Sequence, residues 1–188
     1  MVTLKHKEKN MKTKISLFAI VFFLTITGCT TKTLKKANVE DLTNAPTWVK
    51  EEAFQQGKIV ASAKNDDQAV SFREKRDSAY KNSKENLKNK ITLKIDNLFT
   101  KLNTDQKHNY NEEKIKSDII ENTMKLAKME DIYETNVGNI YIKSYIPLNS
   151  FIDSVDDYFK RNLQKYTTLY ANYLILKNNS ELYNILTN

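Results

Sequence analysis

The stretch from Met11 to Cys29 (MKTKISLFAIVFFLTITGC) limits which part of this chain can fold as a domain. Two lysines, Lys12 and Lys14, precede an apolar run of 12 residues, Ile15 to Ile26. A charged start, an apolar stretch of roughly 7–15 residues and small residues before a cleavage point are typical of a bacterial secretory signal. Because such a segment is removed, we expect the folded domain to be built from the residues that follow it.

The residues just before the only cysteine specify the kind of signal. Ile26, Thr27 and Gly28 lead directly into Cys29, and this order of an aliphatic residue, a small residue, Gly and Cys resembles a lipobox. The Cys29 thiol would receive a diacylglycerol, and an acyl chain such as palmitate would then be added. Apart from this covalent lipid we expect no cofactor. A transmembrane anchor or a buried core helix is the alternative, but the run falls short of the roughly 20 residues that span a bilayer.

Removing the leader changes the charge and the available chemistry. Of 30 basic and 23 acidic residues, five and one lie in residues 1–28, which leaves 25 basic and 22 acidic residues and a net charge of +3 instead of +7. The high isoelectric point is therefore poor evidence for nucleic-acid binding. With Cys29 acylated, no thiol remains for disulfides, and His108 is the only histidine after the leader. A metal site or an acid–base pair would have to use carboxylates.

The rest of the chain divides into a tether and one domain. Residues 29–43 are polar with scattered apolar positions and are expected to connect the lipid to the domain, which we place at residues 44–188. The predicted fold is α+β, with a small antiparallel sheet (strand 58–64 plus hairpin 131–146) covered on one face by long helices. In the second hairpin strand, Ile140, Ile142 and Ile146 alternate with Tyr141, Lys143 and Tyr145, which predicts one core face and one amphipathic face.

Helical spacing and turn residues predict the other boundaries. A short helix from Pro46 should end at Gly57, and Gly138-Asn139 suits a two-residue hairpin turn. The apolar stripe from Ala69 to Leu102 has steps of three and four, but we expect a bend or break near residues 89–97, where residues 91–95 also fit a strand. Asn111 should cap another helix, and Ser150 should begin a last helix whose buried stripe runs to Tyr173.

Charged groups along these helices have a structural interpretation and a functional one. Asn65, Asp66 and Asp67 could form a helix cap or a metal site, and the cap is favoured. The lysines are interleaved with acidic residues, which favours a solvated face over a nucleic-acid surface: Lys81, Lys84, Lys88, Lys114 and Lys116.

Several segments together resemble the Lpp-twenty family of twenty-kilodalton bacterial lipoproteins. They are Pro46-Thr47-Trp48-Val49, the strand from Gly57 to Ala63, the helix positions Ala79, Ser83, Leu87 and Ile91, and the strand from Asn139 to Tyr145. The resemblance covers roughly residues 44–176. It implies an outer-membrane or surface lipoprotein with a small α+β domain, in a family that includes flagellum-associated and antigenic proteins, and it implies no catalytic residues.

Two classes of function follow from these observations. We expect a non-enzymatic envelope lipoprotein, held in the outer membrane by its lipid, that binds an envelope protein or itself; Thr30 in place of an aspartate after Cys29 favours the outer membrane. Tyr141 and Tyr145 are the candidate interface, because tyrosine offers a large amphipathic contact area; the alternative is that they pack under another helix of the same domain. A ligand carrier with an apolar cavity under the hairpin, or a hydrolase, is the other class.

A hydrolase would need convergent carboxylates. The candidates are Asp156-Asp157, Glu112-Glu113 and Asp131. Adjacent residues on a helix point about 100° apart, so neither pair is suited to share a proton or a metal ion.

Overall fold

A computed structural model describes residues 39–51, 55–102 and 110–187 of the chain. The described elements are α1 (Thr47–Lys50), β1 (Lys58–Asn65), α2 (Phe72–Leu102), α3 (Glu112–Met124), β2 (Lys128–Glu134), β3 (Ile140–Pro147), α4 (Leu148–Asn162), α5 (Thr167–Asn178) and α6 (Glu181–Thr187). The predicted α+β class is confirmed: three antiparallel strands form a sheet in the order β1-β3-β2, and helices pack against it.

The alternation in β3 sets which face of the sheet is buried. Ile140, Ile142 and Ile146 are fully buried, as their period of two predicted, and β1 contributes Ile59 and Ala61 to the same face. We call this the inner face. At its centre the hydroxyl groups of Ser83 on α2 and Ser144 on β3 share a buried hydrogen bond of 2.6 Å. Each of these two buried hydroxyl groups thus has a hydrogen-bond partner within the core.

Helix α2 is continuous for 31 residues, so the expected break and the strand at residues 91–95 are wrong. Its buried stripe does not stop in that region, because Leu87, Ile91 and Ile95 are all fully buried. Tertiary burial thus outweighs the moderate helix propensity of the Asn and Thr residues between them. The stripe continues into a core shared with the other helices, where the largest buried side chains are Phe99, Phe151, Phe159 and Tyr173.

Of two predicted helix caps, one differs from the prediction and one agrees with it. The cap of α2 is Ser71, which forms a capping box with Glu74: the Ser71 amide donates to Glu74 Oε2 at 2.9 Å and the Glu74 amide to Ser71 Oγ at 3.3 Å. Asn65 and Asp67 instead accept from the amides of Asp67 and Ala69 in the preceding turn. The cap at Asn111 is confirmed, since its side chain accepts from the Lys114 amide at 3.0 Å.

The other predicted boundaries also need correction. The helix that begins after Pro46 ends at Lys50, not at Gly57, because Glu51 is extended. Helix α4 begins at Leu148 directly after the strand, not at Ser150. The expected last helix, whose stripe ran to Tyr173, is divided into α4 and α5, and α6 follows beyond it. The turn between α5 and α6 includes Ser180 at a positive φ of 61°, a conformation that does not continue a helix.

The hairpin turn is longer than the predicted pair Gly138-Asn139. Thr135 and Asn139 close a three-residue loop, with the Thr135 amide donating to the Asn139 carbonyl at 3.0 Å and the Gly138 amide to the Thr135 carbonyl at 2.9 Å. Gly138 has the positive φ, 76°, that was expected for it, whereas Asn139 does not. A three-residue loop needs only one left-handed residue, at its last position.

Candidate interface on the outer face of the sheet

The predicted interface residues lie on the face of the sheet that points away from α2, which we call the outer face. Tyr141 and Tyr145 alternate with the buried isoleucines of β3 and are half-buried. Their register partners on β1 are Lys64 and Val60, and Tyr141 also faces Tyr133 on β2. The structure therefore brings the two tyrosines onto one surface, as the alternation predicted.

The first described residues, 39–50, cross this outer face, and we call them the N-terminal strap. Glu40 binds three groups near one end of the sheet: its carboxylate accepts from Asn139 Nδ2 at 2.8 Å, from Tyr141 Oη at 3.2 Å and from Lys64 Nζ at 3.0 Å. Burial alone would raise the pKa of Glu40, but the hydrogen bonds from Asn139 and Lys64 lower it. Partial burial also raises the pKa of Tyr141.

Trp48 holds the second half of the strap. Its side chain is buried, its Nε1 donates to Asp131 Oδ2 at 3.1 Å, and the Lys143 Nζ lies 5.8 Å from the centre of its ring. Asp131 and Lys143 are register partners on β2 and β3, so the indole packs across two strands. The tryptophan of the Pro-x-Trp-Val segment thus anchors the strap to the sheet.

A small ionic network lies beside the tryptophan. Glu130 is at an irregularity in the pairing of β2, between Met129 and Asp131, and its carboxylate binds Lys58 and, at 3.2 Å, Lys143. Burial alone would raise the Glu130 pKa, but the hydrogen bonds from the two lysines lower it. The Lys58 ammonium lies 4.5 Å from the centre of the Tyr145 ring, so the network extends to the second predicted interface residue.

The carboxylates considered for catalysis are held in separate structural pairs. Asp156 accepts from the buried Tyr173 hydroxyl at 2.5 Å and from Lys177 at 2.6 Å, Asp157 pairs with Arg161, and Glu112 with Lys116. Among the residues that the structure describes, no group of three His, Cys, Asp or Glu side chains is arranged to hold a metal ion.

A groove of about 760 Å³ lies between α2 and α3, away from the outer face. Most of its lining side chains are charged, with Tyr80, Ile120 and Met124 as its large apolar members. All of its lining residues belong to these two helices, so the groove does not lie beneath the hairpin. It is also more polar than the apolar cavity that a ligand carrier was expected to have.

The residues of the predicted lipobox, Ile26, Thr27, Gly28 and Cys29, lie outside the described residues, as does His108. Within the described part, no helix is long and apolar enough to cross a membrane.

The strap and the Glu130 network were not predicted. Residues 39–43 resembled a polar tether, and the contacts of Glu40 with Asn139 and Tyr141 join positions 99 and 101 residues apart. The one local signal was Trp48, a large apolar residue in a polar segment.

Comparisons with known proteins do not assign a family. A scan against protein-family models found no match, and a search of curated proteins found none either. The resemblance to the Lpp-twenty family therefore stays a prediction.

Proposed function

We propose that this protein is a lipid-anchored lipoprotein of the bacterial envelope, located in the outer membrane, with a structural or protein-binding role and no catalytic activity. The observation that carries the proposal is the lipobox Ile26-Thr27-Gly28-Cys29 behind a 12-residue apolar run. The strap begins ten positions after Cys29, so only nine residues would connect the lipid-bearing residue to the strap. Membership of the Lpp-twenty family is part of the same proposal.

The outer face is the proposed contact surface for an envelope protein or a second copy of the chain. Tyr141 and Tyr145 remain partly exposed beside the strap, and aromatic residues are enriched at the centre of protein interfaces. The carboxylates considered for a hydrolase are bound to lysines, an arginine, Tyr173 or Trp48, which supports binding over chemistry.

Replacement of Cys29 by serine tests the anchor, because only a thiol accepts the diacylglycerol. We expect Cys29→Ser to remain as an uncleaved precursor without label from a palmitate analogue, whereas the neighbouring Thr30→Ser should be processed and labelled like the wild type. Gel mobility and in-cell labelling provide the readout. Normal processing and labelling of Cys29→Ser would refute the anchor.

A further inference from the structure

The strap enters the domain at a defined place, the loop between β2 and β3. The Val39 carbonyl accepts from Asn136 Nδ2 at 3.4 Å, and the Asp41 amide donates to Asn136 Oδ1 at 2.9 Å. The carboxylate of Glu40 also binds Asn139 in the same loop. The first described residue, Val39, therefore lies beside this loop.

The first turn of α2 lies at the same end. Lys75 Nζ donates to the Gly138 carbonyl at 2.7 Å, and Gln68 Nε2 donates to Asn139 Oδ1 at 2.9 Å. We call residues 66–72 and 135–139 the hairpin end. From there α2 runs for 31 residues, about 45 Å at 1.5 Å per residue, to Leu102, whose carbonyl accepts from Asn172 on α5.

Chain length restricts how a lipid-anchored domain can stand on its membrane. The ten residue steps from Cys29 to Val39 span at most about 35 Å when fully extended. With the Leu102 end of α2 against the lipid surface, the hairpin end would be about 45 Å away, beyond this reach. An upright domain can therefore only stand on its hairpin end; this step depends on the proposed anchor.

The hairpin end carries exposed apolar side chains that suit a lipid surface. Phe72 opens α2 with 49% of its surface exposed, and Val39 is 82% exposed. The nearby charges are mixed: Arg73 and Arg76 lie beside Glu74 and Asp77, and the hairpin end itself carries the exposed carboxylates of Asp66 and Asp67. From these observations we propose that the hairpin end rests on the lipid surface, with Phe72 among the headgroups and with α5 directed away from the membrane.

Two matched cysteine variants can test this orientation. Once Cys29 is acylated, Ala69→Cys at the hairpin end or Ala171→Cys on α5 supplies the only free thiol, and both positions are exposed. The full-length lipoprotein, labelled there with bimane, is reconstituted into phosphatidylethanolamine–phosphatidylglycerol vesicles that contain a lipid with a nitroxide quencher on its headgroup. We expect at least threefold more quenching at position 69 than at position 171.

Equal quenching at the two positions, or more at position 171, would overturn the orientation. Phe72→Ser should reduce the quenching at position 69 by about half, whereas Leu93→Ser, at an exposed position farther along α2, should not change it. Unchanged quenching in Phe72→Ser would overturn the contact of Phe72 with lipid. Mass spectrometry separates these results from failure of the anchor: a protein without the diacylglycerol mass refutes the proposed function itself, and the orientation with it.

Discussion

Ile142 and Ile132 occupy facing positions on neighbouring strands, yet their surroundings differ. Ile142 on the central strand β3 is fully buried, whereas Ile132 on the edge strand β2 is 39% exposed. Helix α2 packs over β1 and β3, which leaves the inner side of β2 partly open. We therefore expect Ile142 to contribute more to the free energy of unfolding than Ile132, although the two residues face each other.

This pair provides a matched prediction. Ile142→Asp should lower the free energy of unfolding by about 4 kcal/mol or prevent folding, because it places an unpaired charge in the core. Ile132→Asp should cost about 1 kcal/mol or less, since its carboxylate can reach water. Urea unfolding followed by circular dichroism measures both values. Similar losses in the two variants would mean that the inner face is assigned incorrectly.

Among the acidic groups that the structure describes, Asp156 has a pKa that is lowered strongly by its surroundings. Burial alone would raise its pKa, but hydrogen bonds from Lys160, Lys177 and Tyr173 outweigh that effect and lower the pKa from 3.8 to about 2. A carboxyl whose pKa is lower in the folded state stabilises the fold above its unfolded pKa, and this stabilisation is lost as the pH falls toward the folded pKa.

The pH dependence of stability tests this network. Between about pH 4 and pH 2 the wild-type protein should lose more free energy of unfolding than Asp156→Asn, which has no charge to neutralise. Asp157→Asn is the control, because Asp157 is exposed and pairs only with Arg161 among the bonds described for it. Urea titrations at several pH values should show that Asp157→Asn follows the wild type. If the free energy of unfolding changed with pH by the same amount in all three proteins, the ionisation of Asp156 would not be coupled to folding.

At the scale of elements, local patterns predicted most of the sheet and helix assignments. The two-residue alternation from Ile140 to Ile146 is decided by neighbouring residues, and so is the side-chain cap at Asn111. The break expected in α2 was wrong because the continuity of this helix depends on packing that is not local. Ile91 and Ile95 belong to a core shared with helices distant in sequence, and their burial keeps the helix intact. The turn of the hairpin was misplaced because Gly138 fits both a two-residue and a three-residue loop.

The strap is the element that sequence patterns did not indicate, and Trp48 is its principal apolar contact. Trp48→Ala should lower the free energy of unfolding by about 3 kcal/mol, since it removes a buried indole. Trp48→Phe keeps an aromatic ring and loses mainly the hydrogen bond to Asp131, so about 1 kcal/mol is expected. Thermal or urea unfolding compares the two variants. Wild-type stability in Trp48→Ala would show that the strap does not contribute to the fold.

At the scale of the whole molecule, the outer face should be the surface that meets a partner. A photo-crosslinking amino acid in place of Tyr145 should yield a discrete adduct in cells, either with an envelope protein or with a second copy of the chain. The same substitution at Tyr183, which is 52% exposed on α6, should yield none. Mass spectrometry of the adduct identifies the partner. An adduct at Tyr183 alone would move the interface away from the sheet.

The path of the strap has a mechanical consequence for a chain held at Cys29. Tension between the proposed lipid and the domain would first load the bonds of Val39, Glu40 and Asp41 with the hairpin loop, which lie together and can open one after another. Strand β1 is held by eight register pairs with β3 and would resist much longer. Release of residues 39–50 would add about 40 Å of extended chain before the sheet is disturbed. The strap would then act as a reversible extension of the tether, lengthening under shear and folding back when the load is removed.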